Sequence, residues 1–119
     1  MQERGKELEE RTERFAFEVL RFVRSLPKTA PEQVLGRQLL KAGTAVGANY
    51  RAARRSRSRK EFLARLAVVV EESDESVYWL GLLAQDPACA KLDIAGLLQE
   101  ARELRAIFAT SLRTAKSRP

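Results

Sequence analysis

The sequence predicts an all-α fold: four helices packed as an antiparallel, up-down-up-down bundle within a single domain, residues 1–119. Three observations carry this expectation. Apolar residues recur every three or four positions in four separate stretches, the spacing of one helical face. Each stretch ends at a proline or a polar capping pattern. Only four prolines and six glycines occur in 119 residues, too few for the turns of an all-β domain. The helices are expected over about 6–26, 31–55, 59–85 and 93–116, joined by short connections that make neighbours antiparallel.

In the first helix Leu8, Thr12, Phe15, Val19, Phe22 and Leu26 step by 4, 3, 4, 3 and 4 residues along one stripe. Ala16, Leu20 and Val23 widen it. Phe17 projects away, either as an ordinary exposed ring or as part of a second buried surface such as a subunit contact. Pro27 disfavours a helical residue before it and stops the helix at Leu26.

Thr29 and Glu32 have capping-box spacing, and Pro31 suits the first turn of the second helix. Leu35, Leu39, Ala42, Val46 and Ala53 form its apolar stripe, with Tyr50 on the flank. Gly36, Gly43 and Gly47 share a neighbouring stripe, which points to close approach of another backbone. A phosphate-cradling loop would need a preceding strand and the GxxxxGK[ST] order, and neither is present.

Ser58 and Glu61 repeat the capping pattern ahead of the third helix. Its broad face is expected to hold Phe62, Leu66, Val69, Val70, Val77, Leu80 and Ala84. Val68, Trp79 and Leu83 lie on a flank with Glu72. Two apolar surfaces place this helix centrally or at an oligomer interface. Phe17, Trp79 and the glycine stripe together lead to the expectation of a homo-oligomer.

Asp86-Pro87 ends the third helix, and Asp93 is expected to cap the fourth. There Ile94, Leu97, Ala101, Leu104, Phe108, Ser111 and Ala115 recur at helical spacing. Residues 116–119 are expected to fray.

Composition narrows the function. There is no histidine, so the commonest general base and metal ligand is missing and the Glu-x-x-His motif of di-metal bundles cannot occur. Cys89, the single cysteine, has neither a disulfide partner nor a histidine to activate it, which favours a reducing compartment and a cytoplasmic location. MQERGKELEE is too charged for a signal peptide, and no apolar run approaches the roughly 20 residues of a membrane span. Carboxylate pairs remain at Glu71-Glu72, Asp74-Glu75 and Glu100 with Glu103. Glu72 and Glu75, three residues apart beside Trp79, could share a site, but an ion pair with Arg51 of the second helix is the expected use. No enzymatic activity, cofactor or metal is expected.

The charge is concentrated. Of 22 basic and 16 acidic residues, Arg51, Arg54, Arg55, Arg57, Arg59 and Lys60 supply six of the basic ones within ten positions that contain no acid. Without them the chain balances at 16 against 16. Guanidinium forks suit phosphate, so the run is a candidate surface for RNA or DNA, read without base specificity and weakened by salt. The alternative is a solvated corner that keeps the protein soluble. Arg54, Arg55, Arg57 and Arg59 sit at a helix end or connection, where replacement is expected to leave the fold intact. No long apolar face accompanies the run, so a membrane surface is not an expected partner.

At these residues the chain resembles the small four-helix-bundle proteins encoded within intervening sequences of bacterial 23S ribosomal RNA genes. The matching segments are RTERFAFEVLRFVRSLPK (11–28), LGRQLLKAGTAVGANYRAA (35–53), EFLARL (61–66), EESDESVYWLGLL (71–83) and ELRAIFATSLRTAK (103–116). The most specific are Gly43-Thr44, Val46 to Arg51, and Glu75 with Tyr78-Trp79-Leu80. The resemblance implies an antiparallel bundle that assembles into a homopentameric ring. It also implies kinship with the accessory proteins of diversity-generating retroelements, which bind nucleic acid and a reverse transcriptase through a positive surface. Glu71 departs from the lysine usual in the family, and Val68 to Val70 is more β-branched than usual. Ala52 and Arg54-Arg55 replace a stretch that often carries an acid, so this chain is more basic there.

Overall fold

A computed structural model describes residues 2–118 and consists of four α-helices, with no strand among those residues. They are α1 (Gln2–Arg24), α2 (Ala30–Arg54), α3 (Arg59–Gln85) and α4 (Ala95–Ser117), with a single 3-10 turn at Pro87–Cys89 between the last two. The molecule measures 49 × 21 × 20 Å. Helices of 23 to 27 residues, roughly 35 to 40 Å at about 1.5 Å per residue, span most of its long dimension.

The α1 stripe from Leu8 to Leu26 is buried along its whole length. Thr12, the polar member, is satisfied within its own helix, where its hydroxyl donates to the Leu8 carbonyl at 2.8 Å. The glycine stripe of α2 faces α1. A Cβ at Gly36 would meet Leu26 Cδ1 at 2.7 Å, one at Gly43 would meet Val19 Cγ2 at 2.9 Å, and one at Gly47 would meet Thr12 Oγ1 at 3.1 Å. These glycines therefore serve packing within the chain, and the stripe is withdrawn as a sign of subunit contact.

Helix α1 begins at Gln2, ahead of the expected start, because Gly5 does not break it. Gly5 lies under the Arg54 guanidinium, so close that a Cβ would be 2.6 Å from Nε. At α2, Thr29 occupies the N-cap position but makes no cap to a backbone amide. Its hydroxyl instead bonds the carboxylate of the buried Glu32. At α3 the expected cap forms, with Ser58 Oγ accepting from the Glu61 amide at 3.1 Å.

The buried stripe of α3 runs Leu66, Val69, Ser73, Ser76, Leu80, Leu83, and so differs from the expected face. Leu83 is in the core rather than on the flank, and Ala84 is exposed. Two serines carry the stripe because Ser73 and Ser76 donate to the carbonyls of Val69 and Glu72, each at 2.8 Å, which removes the cost of burying a hydroxyl. Asp93 does not cap α4. Ile94 occupies the N-cap position, turned into the core, and its carbonyl accepts from the Leu98 amide at 2.9 Å. Helix α4 continues through Lys116 and Ser117 of the expected frayed tail and ends before Arg118, while Pro119 lies outside the described residues. The buried Tyr50 and Phe108 rings pack with centroids 4.9 Å apart, joining α2 to α4.

Candidate nucleic-acid interface

The basic run spans the last turn of α2, the connection 55–58 and the first turn of α3. Both edges of the connection are anchored: the Arg55 amide closes α2 onto the Ala52 carbonyl at 3.1 Å, and Ser58 caps α3. The six cations divide into two groups. Arg54 turns back to bond the Glu9 carboxylate of α1. Arg59 reaches α4, where its Nη2 donates to the carbonyls of Ala115 at 2.8 Å and Arg118 at 2.7 Å. These two side chains link helices, so replacing them removes interhelical bonds as well as charge.

Arg51, Arg55, Arg57 and Lys60 are exposed, and none of their side chains pairs with a carboxylate among the described residues, although the Arg57 amide donates to Glu61 Oε2 at 3.5 Å. The adjoining acid, Glu61, is taken up by Arg65 Nε at 3.1 Å. The run therefore leaves four exposed cations in or beside one connection, and side chains of this kind suit phosphate oxygens.

The ion pair expected between Arg51 and Glu72 or Glu75 does not form among the described residues. Glu75 accepts from Trp79 Nε1 at 3.1 Å, one helical turn along α3. Burial, then the nearby Glu75 and Glu71, push the Glu72 carboxyl up, opposed by Lys41 of α2. A cation of α2 does face Glu72, but the register makes it Lys41. Trp79 is half-buried and packs edge-on against Tyr78, with ring centroids 5.0 Å apart. Tyr78 and Phe17, each 58% exposed, are the large apolar side chains most open to solvent among the described residues.

An unforeseen cluster lies between α1 and α4. Arg11 grips Glu100 with two parallel bonds, Nε to Oε2 at 2.8 Å and Nη2 to Oε1 at 2.7 Å, and reaches Glu103 at 2.9 Å. The Glu100 bonds hold the guanidinium proton more tightly than usual. Gln99 and then Arg11 hold the Glu103 carboxyl below its ordinary value. The spacing of Glu100 and Glu103 was visible in sequence; their partner, 89 residues from Glu100, was not.

The Cys89 thiol is buried, and burial together with the adjacent Asp86 pushes it up, away from the thiolate that a nucleophile requires. Among the described residues no group of His, Cys, Asp and Glu could hold a metal ion. No helix among them is long and apolar enough to cross a membrane.

A family model described as 23S rRNA-intervening sequence protein matches residues 6–110. Among solved structures, the chain is similar to a protein of unknown function from the S23 ribosomal protein family of Bacteroides thetaiotaomicron. The identity is 24% over 92% of this chain and 97% of that chain, with a TM-score of 0.82, a likeness of fold. No curated protein matches the chain.

Proposed function

The chain belongs to the 23S rRNA-intervening sequence protein family, and from that premise we propose that it is a cytoplasmic, non-enzymatic protein that binds RNA or DNA through the corner formed by Arg51, Arg55, Arg57 and Lys60. One observation carries the reading: four exposed cations share one anchored corner with no carboxylate partner among the described residues. RNA is the favoured partner. Contacts run to the backbone, so base preference is slight and affinity falls steeply with salt.

The order of contacts between α1 and α2, from Gly5 on Arg54 to Gly36 on Leu26, supports the antiparallel arrangement. The exposed Phe17 and Tyr78 and the half-buried Trp79 support assembly into a ring, taken as a homopentamer. Repeating the corner around an axis raises avidity without any new contact. Light scattering should return a multiple of 13.4 kDa; a monomer at micromolar concentration removes the ring.

The deciding experiment titrates labelled RNA into the wild type and into the variant with Arg51, Arg55, Arg57 and Lys60 all replaced by serine. The variant should stay folded and lose binding. Equal binding by both would refute the corner as the interface. The same exposed aromatic rings favour a second reading, a scaffold or a reverse-transcriptase accessory module without direct nucleic-acid contact, and no binding by the wild type at about 50 mM salt would select it.

A further inference from the structure

A cleft of about 1260 Å³ opens at the end of the molecule where α1 and α3 begin and α2 and α4 finish. Its walls include Leu8, Ile107 and two aromatic rings, Tyr50 and Phe62. Thr110, Ser111 and Thr114 add a band of hydroxyls along α4. The charged groups that line it are Arg4, Arg54, Arg59 and Arg118, with no acid among them. An apolar wall rimmed by cations and hydroxyls suits a flat ring that carries an anion.

The guanidinium at the mouth is already positioned. Arg59 commits Nη2 to the α4 carbonyls, while its Nε and Nη1 have no acceptor among the described residues. Arg4 and Arg118 are exposed beside it. The cleft also joins the basic corner, because Ser56 and Ser58 line it while Arg55 and Arg57 alternate with them in the connection and stand outside it.

We propose that this cleft takes one unpaired nucleotide of a strand held on the corner, with the base against the walls formed by Tyr50 and Phe62 and its phosphate at Arg59. The inference rests on the nucleic-acid reading. A base in such a cleft is recognised by its face, which every base has, and rotatable hydroxyls accept either donor or acceptor edges. The cleft therefore discriminates unpaired from paired strands rather than one sequence from another.

The test compares a blunt RNA duplex with the same duplex carrying one unpaired 3′ nucleotide, by fluorescence anisotropy. The wild type should bind the overhang at least tenfold more tightly. Ala106→Trp places an indole in the cleft without touching the corner; it should bind the blunt duplex as the wild type does and lose the preference. Thr110→Trp, one turn further along α4, replaces it if Ala106→Trp fails to fold. Equal wild-type affinity for both duplexes, or a preference that survives the blocking variant, overturns the cleft and leaves the corner standing. Failure to bind either duplex overturns both.

Discussion

Arg59, in the first turn of α3, donates a hydrogen bond of 2.8 Å to the carbonyl of Ala115 in the last turns of α4. A cation from the basic run thus satisfies the end of a distant helix, where carbonyls lack partners of their own and the macrodipole is negative.

Arg59→Ala should therefore loosen the end of α4. Amide exchange over residues 113–118 should accelerate while global stability falls by under about 1 kcal/mol, because the contact is exposed. Arg57→Ala, by contrast, should change neither. Exchange measured by NMR on both variants separates the two kinds of arginine.

Arg11→Ala should cost more, about 1–2 kcal/mol in chemical denaturation at neutral pH, since the guanidinium bonds two carboxylates from a half-buried position. The deficit should shrink in acid. Gln99 and Arg11 lower the folded-state pKa of Glu103, so its contribution is present above the ordinary value of 4.5 and lost as pH falls through the lowered folded value. A deficit equally large at pH 3 would show that Arg11 acts through packing alone.

Glu72→Gln should stabilise the protein at pH 7. Burial and the neighbouring Glu75 raise the folded-state pKa of Glu72, so the charged form is the disfavoured one in the native structure. The gain should be complete above that raised value and vanish below 4.5, where the carboxyl is protonated in both states. Lys41 and solvent screen the site, so the effect stays under about 1 kcal/mol. Melting temperatures across pH 3–8 give the profile.

Gly43→Ala and Gly81→Ala form a matched pair on two helices. A Cβ at Gly43 meets Val19 Cγ2 and Cγ1 at 2.9 and 3.0 Å, and the fully buried, β-branched Val19 has no room to turn away. The overpacking, about 1–3 kcal/mol, exceeds the gain in helix propensity of about 1 kcal/mol, and the variant should be less stable. Gly81 has nothing within 4 Å of its Cβ position, so Gly81→Ala should gain about 0.5–1 kcal/mol. Thermal melts that moved both in the same direction would contradict the close contact of α1 and α2.

The four helices were legible from the sequence because helical periodicity is local: a residue's face follows from its spacing to neighbours three and four positions away. Leu8 to Leu26 and Leu39 to Ala53 fall in the core on that ground alone. Ser73 and Ser76 were not legible as core positions because a buried serine bonded to its own helix looks polar in sequence. Asp93 read as a capping residue, a role that the burial of Ile94 superseded. The position of the basic run was legible too, as was the likeness to the intervening-sequence family.

Which of those cations remain available was decided only by the tertiary structure. Arg54 meets Glu9 across 45 residues, and Arg59 meets Ala115 across 56. Such pairings depend on the register and rotation of one helix against another, which close packing at Val19 and Gly43 sets and which no local spacing encodes. The same register put Lys41, not Arg51, opposite Glu72. It also brought Tyr50 and Phe62, 12 residues apart, to one cleft beside the arginines. Charge content is a property of the chain, but its distribution between internal bonds and open surface follows from how the helices pack.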